Sequence, residues 1–445
     1  MATTRRCFLA ASGGTAATLW LELSARAQTE CQAKIPFVIT VQASGAWDPT
    51  FLVDPVAGDA GFTPFSAAQI LTAGAIRYAP SVTNMGVGGP YLVGNPGQDF
   101  FAKHAQRLLV FNGVDNATVS HDVGPRVAFS GSTRDGLPTL SGLVAGLQGR
   151  TLPLAMFVSG GFASTGGLVP ITRGGSLSLL RGLASPNRDG IHVDEVDALL
   201  RRATRDRDSR LGAQSSIPRT RLAFEKIAEA RSGALEERFI QIADELQRAG
   251  EGRRGSLAEA ASGALALMRA GACAAAHIST GGFDTHDNHD QRHPGAVGRL
   301  LEGLDAIVET AGTDPVLSAR GLVVVVGSDF GRTRYNDGGG KDHWPITSMM
   351  AMGIGAAESM IPGGRVIGAT VPNGRNGVAA LRLKIVQGAA RVTEPGDRDG
   401  FVLTPAHVQL ALRHAIGLCE TGAPDDPLRR FRLTLQPQEP IPLRA

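Results

Sequence analysis

Four consecutive valines between two glycines, Gly321-Leu-Val-Val-Val-Val-Gly327, constrain the fold of this chain more than any other segment. β-Branched residues favour strands over helices, and an apolar run without polar alternation is typical of a strand buried on both faces. Such strands occur mainly in parallel sheets that are covered by helices on each side. The run therefore predicts an α/β protein built around a mostly parallel central sheet.

Other segments extend this prediction along the chain. Short apolar runs bounded by turn residues predict strands at residues 36–41, 107–112, 152–158 and 274–279. Helical periodicity predicts helices at residues 222–249, 256–270, 295–311 and 405–418. Strands that alternate with helices indicate a doubly wound, three-layer α/β sandwich.

The N-terminus has the pattern of an export signal. Thr4-Arg5-Arg6-Cys7-Phe8-Leu9 has a twin-arginine shape, an apolar stretch follows, and Ala25-Arg26-Ala27 is a small-x-small cleavage sequence. The stretch is too short for a stable membrane span, which needs roughly 20 apolar residues. We therefore predict a signal peptide at residues 1–27, recognition by the twin-arginine export machinery, and a periplasmic or secreted mature protein. The alternative is an ordinary N-terminus with two chance arginines.

Residues 28–445 are predicted to form a single α/β domain. The chain has 44 Lys+Arg against 41 Asp+Glu, and the loss of Arg5, Arg6, Arg26 and Glu22 would leave 41 against 40. A nearly neutral protein lacks the basic field that attracts nucleic acid, so no nucleic-acid partner is expected. The Arg- and Glu-rich segment 194–254 is predicted to be a solvated helical insertion. A binding arm for an acidic partner is the alternative for that segment.

Carboxylates and histidines follow several of the predicted strands. Ligands of α/β proteins bind outside the carboxyl ends of the strands, so residues at these positions are candidates for a site. Carboxylate and imidazole groups are ligands for Zn²⁺ and Mn²⁺, and for Ca²⁺ when more oxygens are present. We expect a divalent metal, Zn²⁺ first with Mn²⁺ and Ca²⁺ as alternatives. The candidates are Asp48, His121, Asp284, His286, Asp329, Asp342 and His343.

Two motifs resemble one known family. They are Gly281-Gly-Phe-Asp-Thr-His286 and Ser328-Asp-Phe-Gly-Arg-Thr333, and Asp342-His343 follows them. This order is similar to exported bacterial proteins catalogued as domain of unknown function 1501, whose usual forms are Gly-Gly-Trp-Asp-Thr-His and Ser-Glu-Phe-Gly-Arg-Thr. That family is similar to the alkaline phosphatase and sulfatase superfamily. The resemblance implies an alkaline-phosphatase-like α/β sandwich with a metal-assisted hydrolytic site.

The resemblance also implies roles for single residues. Asp48 corresponds to the metal carboxylate after the first strand, and Asp284 and His286 to ligands of one ion. Asp329 takes the position of the Asp in the superfamily's Ser-Asp-His-Gly motif, but Phe330 stands where that motif has its histidine ligand. A second ion would therefore need His289 or His343 as a substitute ligand.

The superfamily nucleophile lies at a helix start after the second strand. Ser120 or Thr118 occupies that position here, and His121 beside it is a candidate ligand or general acid. Three cationic residues are candidates to bind an anionic group, with structural ion pairing as the alternative for each. They are Arg126, Arg332 and Lys341.

These features predict an exported metal-dependent hydrolase of phosphate or sulfate esters. The expected substrate is a small-molecule or polymer-linked anionic ester. The alternative is a catalytically degenerate relative that keeps the fold and serves as a periplasmic binding or assembly protein. Phe330 favours the alternative, whereas the number of candidate ligands favours chemistry.

Overall fold

The computed structural model describes residues 35–80, 96–152, 154–174, 194–230, 256–374, 376–418, 428–433, 435 and 440–443. The predicted signal peptide lies outside the described residues, as do residues 231–254 of the predicted helical insertion. Among the helices that are described, none is long and apolar enough to span a bilayer.

The described chain contains strands that we number in chain order. They are β1 (Phe37–Ala43), β2 (Leu71–Ala73), β3 (Ile76–Tyr78), β4 (Leu108–Asp115), β5 (Ala155–Ser159), β6 (Ile171–Arg173), β7 (Cys273–Thr280), β8 (Leu322–Ser328), β9 (Gly331–Tyr335), β10 (Lys341–Trp344), β11 (Ile346–Ile354), β12 (Arg365–Ile367), β13 (Thr370–Asn373), β14 (Gly377–Ala380), β15 (Leu383–Val386) and β16 (Ala389–Val392). The central sheet takes eight of them in the order β12-β4-β11-β8-β1-β7-β5-β6. The others pair as the two-stranded hairpins β2-β3, β9-β10, β13-β14 and β15-β16.

The α-helices of the described residues are numbered in the same way. They are α1 (Pro96–His104), α2 (Gly124–Ser130), α3 (Leu140–Gln148), α4 (Asp194–Gln214), α5 (Pro218–Ala230), α6 (Leu257–Arg269), α7 (His289–Thr313), α8 (Pro315–Arg320) and α9 (Pro405–Ala415). Helices α4 and α5 fall within the predicted charged insertion.

The mixed α/β fold with a mostly parallel central sheet is confirmed. Within the central sheet, β11 runs antiparallel to its neighbours β4 and β8, and the other neighbouring pairs are parallel. The valine run forms β8, and the other predicted strands correspond to β1, β4, β5 and β7. Strand β11 was not predicted, because its β-branched residues lie only at its two ends and the Ser-Met-Met-Ala-Met-Gly stretch between them carries no strand signal.

Alternate residues of the valine strand face two separate hydrophobic cores. Val324 and Val326 belong to a core that includes side chains of α6 and α7, whereas Val323 and Val325 belong to a core that includes α3 and α9. Because side chains alternate along a strand, helices must cover both faces of the sheet. The sheet is therefore the middle layer, and polar residues are left mainly to the loops at its edges.

His277 on β7 is an exception, because it is a polar residue in the buried sheet. Its Nδ1 atom lies 2.7 Å from Thr40 Oγ1, and burial lowers the pKa of its imidazole to about 3, with a smaller contribution from Arg173. The unfolded chain binds a proton at this residue below about pH 6.5, whereas the folded chain does so only near pH 3. The contribution of the neutral His277 to stability is therefore complete above the unfolded-state pKa of about 6.5, and it is lost as the pH falls below that value.

We expect His277→Gln to reduce the acid sensitivity of the fold. Between pH 7 and pH 5, the wild-type free energy of unfolding should fall by about 2 kcal/mol more than that of the variant. Urea unfolding at the two pH values measures the difference. His414→Gln is the control because His414 is exposed. Equal losses in the wild-type protein and His277→Gln would contradict the prediction.

Candidate metal centre

The candidate site lies where the loops after β1, β4, β7 and β8 meet. The β9-β10 hairpin closes over them, because its turn is hydrogen-bonded to the loop after β7. Lys341 N donates to Thr285 O at 3.0 Å, and His289 N donates to Gly339 O at 3.0 Å. These contacts hold Asp342 and His343 beside the loop that carries Asp284 and His286.

A buried arginine on β9 joins three of these segments. The Arg332 side chain is fully buried, and its guanidinium donates hydrogen bonds to backbone carbonyls of the β1 loop, the β7 loop and β10. It also donates to the carboxylate of Asp284 at 2.6 Å. The carbonyl partners are Gly45, Ala46 at 2.8 Å, Phe283 at 3.0 Å and Lys341 at 3.0 Å. Arg332 thus fixes both the backbone and the charge of the site.

The β1 and β7 loops approach too closely for a side chain at Gly45. Its φ angle is +108°, and a Cβ atom there would lie 2.6 Å from the backbone nitrogen of Asp284. Only glycine tolerates both this conformation and this contact. The close approach lets one arginine hydrogen-bond to both loops.

Three potential ligand atoms form a triangle at this junction. Asp284 Oδ1 lies 3.1 Å from His286 Nε2 and 3.4 Å from His343 Nε2, and the two nitrogens are 3.0 Å apart. Two ligands bound at 2.0–2.1 Å to a tetrahedral Zn²⁺ are about 3.3 Å apart. The spacing of the triangle therefore fits ligands of a single ion.

His121 supplies a fourth potential ligand atom beside the triangle. Its Nε2 atom lies 3.7 Å from Asp284 Oδ2. This nitrogen is shielded from solvent and has no hydrogen-bond partner within the described residues. Ligand atoms of His121, Asp284 and His343 all lie within 4.8 Å of one another, which makes them a candidate metal-binding group.

The opposite ring nitrogen of each histidine contacts an oxygen of the protein. Metal-binding histidines commonly donate their second N–H to a carboxylate or a backbone carbonyl, which orients the ring. The three contacts join His121 Nδ1 to Asp329 Oδ2 at 2.8 Å, His286 Nδ1 to Asp342 Oδ1 at 2.9 Å, and His343 Nδ1 to Val119 O at 3.1 Å. Asp329 and Asp342, both predicted ligands, thus contact the histidines on the side away from the triangle.

The electrostatics favour a charged Asp284 and a neutral His343. Partial burial alone would raise the pKa of Asp284, but the hydrogen bond and charge of Arg332 outweigh it and lower that pKa. Burial and the charge of Arg332 also lower the pKa of His343, against an opposing contribution from Asp284. Ionised carboxylate and neutral imidazole are the forms that bind metals.

Phe330 forms part of the hydrophobic support beneath the histidines. Its buried ring has its centroid 4.8 Å from that of His121 and 4.6 Å from that of His343. Phe330 therefore packs against two histidines of the candidate site. One of them, His343, is a predicted substitute ligand and lies in the triangle.

The structure does not bring Asp48 to this group. Asp48 is buried in a separate cluster, where its Oδ2 atom accepts a hydrogen bond from the Lys341 ammonium group and lies 3.2 Å from His289 Nε2. Its Oδ1 atom accepts hydrogen bonds from Thr50 N and Thr50 Oγ1. Burial alone would raise the pKa of Asp48, but the charge of Lys341 and the contact with His289 outweigh it and lower that pKa. Both carboxylate oxygens thus have protein partners.

Ser120 is exposed in the loop before α2. Its Oγ atom accepts a long hydrogen bond of 3.4 Å from Asp122 N, and its carbonyl accepts hydrogen bonds from Val123 N and Gly124 N. The described residues show no hydrogen bond between this hydroxyl and a general base. The predicted role of Ser120 as a nucleophile is therefore supported by its position in the sequence and not by its contacts.

The candidate anion-binding residues all form ion pairs. Arg126 contacts Asp135 at 2.6 Å, Arg332 contacts Asp284, and Lys341 contacts Asp48. These contacts are the ion pairing that was the alternative to anion binding for each of the three residues.

Comparison with known proteins gives one match. A family model described as "Protein of unknown function (DUF1501)" matches residues 184–382. The matched range contains Asp284, His286, Asp329, Asp342 and His343, but neither Asp48 nor His121. No curated protein and no solved structure matches the chain.

Replacing Arg332 should destabilise the protein more than replacing a neighbouring arginine. Arg332→Met would leave buried carbonyl groups and Asp284 without their donor, at a cost of about 3–5 kcal/mol. Arg334→Met on the same strand removes a partly exposed pair with Asp59 and should cost about 1 kcal/mol. Chemical denaturation of both variants measures the difference. Equal costs would contradict the proposed organising role of Arg332.

Replacing Asp48 should affect stability rather than metal binding. Asp48→Asn leaves the buried Lys341 ammonium without its counter-charge, so we expect a loss of about 3 kcal/mol in the free energy of unfolding. The folded variant should retain the metal-to-protein ratio of the wild-type protein, as determined by elemental analysis. A loss of metal from folded Asp48→Asn would instead support the ligand role predicted from the sequence.

Proposed function

We propose that this protein is a metal-dependent hydrolase of phosphate or sulfate esters. The observation that carries the proposal is the triangle of Asp284, His286 and His343, with the unpartnered nitrogen of His121 beside it. A mixed carboxylate and imidazole set of this spacing fits Zn²⁺ best, because zinc sites use these ligands at short distances. Mn²⁺ remains the alternative. Ca²⁺ fits less well, because it prefers six to eight oxygen ligands.

The exposure of the group favours a catalytic rather than a purely structural ion. The side chains of Asp284 and His286 are each 47% exposed, so the triangle is open to solvent on one side. Catalytic zinc sites keep a coordination position for water or substrate, whereas structural sites are closed by four protein ligands. When bound, such an ion would act as a Lewis acid and make water a stronger nucleophile near neutral pH.

The protein's own residues prepare this chemistry. Arg332 holds Asp284 in its ionised form, and the backbone carbonyl of Val119 accepts a hydrogen bond from His343. His121 faces Asp284 through Nε2, from where its lone pair would serve as a ligand, or, once Nε2 has taken up a proton, as the proton donor to the departing alkoxide. Ser120, the adjacent exposed hydroxyl, is the proposed nucleophile. Attack by Ser120 would form a serine ester as the alkoxide leaves, with the hydroxyl proton passing to solvent, and water would then cleave that ester and restore the serine. Net hydrolysis would release an alcohol and inorganic phosphate or sulfate.

Similarity to the alkaline phosphatase superfamily is part of this proposal. It is supported by the helix-covered, mostly parallel sheet and by the position of the candidate ligands in loops after its strands. We also propose export through the twin-arginine pathway, on the basis of the N-terminal sequence alone.

The second candidate function is metal binding without catalysis, in a periplasmic binding or assembly protein. Two observations favour it. Phe330 stands where the proposed superfamily has a histidine ligand, and the ion pairs of Arg126, Arg332 and Lys341 limit the cations available to an anionic substrate. Metal content together with a substrate panel separates the two functions.

We expect purified protein to bind about one equivalent of Zn²⁺. Asp284→Ala and His286→Ala should lose most of it, because each removes a corner of the triangle. Asp287→Ala, in the same loop, is the matched control because its exposed carboxylate pairs with Arg292. Elemental analysis and thermal unfolding of the four proteins give the comparison.

Esterase activity should depend on the bound metal. Wild-type protein and Asp287→Ala should cleave a phosphate or sulfate ester from a panel supplied with Zn²⁺, Mn²⁺ or Ca²⁺, and Asp284→Ala should lose roughly 100-fold or more of the rate. Metal binding without cleavage across the panel would favour the binding-protein function. Absence of metal binding would overturn both candidate functions.

A further inference from the structure

A chain of largely buried hydrogen bonds connects His121 to the loop after β5. Phe162 N donates to Gln42 Oε1 at 2.8 Å, and Gln42 Nε2 donates to Asp329 Oδ1 at 3.0 Å. Asp329 Oδ2 accepts from Gly45 N at 3.0 Å and faces His121 Nδ1 at 2.8 Å. Gln42 is 4% exposed and Asp329 is 3% exposed, so water competes little for these contacts.

We propose that Gln42 and Asp329 are positioning residues that hold His121 in one tautomer, with its proton on Nδ1 and its lone pair on Nε2. This inference rests on the proposed metal centre, because that centre gives the Nε2 lone pair its use. It assigns Asp329 an orienting role in place of the ligand role predicted from the sequence.

The directions of the hydrogen bonds follow from the chemistry of each group. A backbone N–H only donates, so the Gln42 atom facing Phe162 N must be the amide oxygen. The other end of the Gln42 amide is then its NH₂ group, which donates to Asp329. An ionised carboxylate only accepts, so the His121 nitrogen that faces Asp329 must carry a proton. A neutral imidazole has one N–H, which leaves Nε2 with the lone pair.

The same reasoning explains why Asp329 is a poor candidate ligand. Its two oxygens already face three N–H groups, from Gln42, Gly45 and His121. Binding a metal would require breaking at least one of these buried contacts and leaving a donor unpaired, which is costly in a protein interior. His121 Nε2, by contrast, has no hydrogen-bond partner to lose among the residues that the structure describes.

Asparagine at position 329 would be incompatible with this chain of hydrogen bonds. If its amide nitrogen takes the place of Oδ2, it faces the N–H of Gly45 and can accept no hydrogen bond from His121. If it takes the place of Oδ1, it faces the NH₂ group of Gln42. In either orientation the asparagine NH₂ group faces another hydrogen-bond donor. The first orientation also favours the His121 tautomer that carries its proton on Nε2. Asp329→Asn should therefore disturb His121 without changing side-chain size.

Asp342 offers a matched control. It also contacts a histidine, since its Oδ1 atom lies 2.9 Å from His286 Nδ1, but its side chain is 57% exposed. Asparagine there can place its amide oxygen at the Oδ1 position and turn its NH₂ group toward solvent. Asp342→Asn should therefore preserve the tautomer of His286 and weaken metal binding only a few-fold, through the lost charge.

A double substitution should rescue the Asp329 variant. In Gln42→Glu/Asp329→Asn, the new glutamate accepts hydrogen bonds from Phe162 N and from the NH₂ group of the new asparagine. The asparagine oxygen then takes the place of Oδ2 and accepts from Gly45 N and His121 Nδ1. Every donor regains an acceptor, and the net charge is unchanged. A merely structural disturbance at position 329 would not be repaired by a second change of this kind.

The experiment uses two readouts on the full chain. Nitrogen NMR of ¹⁵N-histidine-labelled, metal-free protein reports which ring nitrogen of His121 carries the proton, with His121→Gln used to assign the signal. Competition with a chromophoric chelator reports the affinity for Zn²⁺. We expect the Nδ1–H tautomer of His121 in the wild-type protein, in Asp342→Asn and in the double variant, and a mixture with the Nε2–H tautomer in Asp329→Asn. The Zn²⁺ affinity of Asp329→Asn should fall by roughly 10- to 100-fold and recover in the double variant.

The results also separate this proposal from the proposed function. An Nε2–H tautomer in the wild-type protein, or wild-type tautomer and affinity in Asp329→Asn, would overturn the positioning role. If Asp329→Asn does not fold, a double variant that folds without the Nδ1–H tautomer would overturn it as well. The expected tautomers without measurable Zn²⁺ binding in the wild-type protein would support the positioning role and reject the metal centre.

Discussion

The candidate site depends on one buried cation. Arg332 is fully shielded from solvent, and its guanidinium hydrogen-bonds to carbonyls on three chain segments and to the carboxylate of Asp284. A buried charge is tolerated only when it is paired and its donors are satisfied. Here those requirements force the loops after β1 and β7 and the start of β10 into one arrangement. The guanidinium that anchors the backbone also keeps Asp284 ionised, so the arrangement of the loops and the charge of this candidate ligand have a common cause.

Lys341 and its neighbours Asp342 and His343 are adjacent in sequence but contact different parts of the structure. Lys341 points inward to the buried carboxylate of Asp48, whereas its neighbours Asp342 and His343 contact the loop that carries His286. The buried pair stabilises the base of the β9-β10 hairpin, and the partly exposed group remains open to a ligand. Exposure therefore distinguishes the buried, paired carboxylate of Asp48 from the carboxylates of the candidate metal centre, since a buried carboxylate needs permanent partners.

Several predictions from the sequence can be compared with particular contacts. The valine run indicated a strand with two buried faces, and its alternate valines do enter two cores. Asp284, His286 and His343 were grouped as ligands because they follow strands, and the structure brings them within 3.4 Å of one another. Gln42 directly follows the first predicted strand, but nothing in the sequence indicated its partners, since a single amide carries no pattern that predicts them. The family resemblance grouped Asp48 with these ligands, although its oxygens contact Lys341 and Thr50.

The sequence by itself determined the class of fold and the chain positions where polar chemistry would occur, because hydrophobic periodicity and strand ends are local properties. The tertiary structure decided which atom of each polar residue meets which partner. Asp48, Asp329 and Asp342 are identical in chemistry, yet one pairs with a lysine, one orients His121 through a buried chain, and one contacts His286 at the surface. Their roles differ because the energy of a carboxylate depends on burial and on donors within a few ångströms. Those donors come from segments that are distant in sequence.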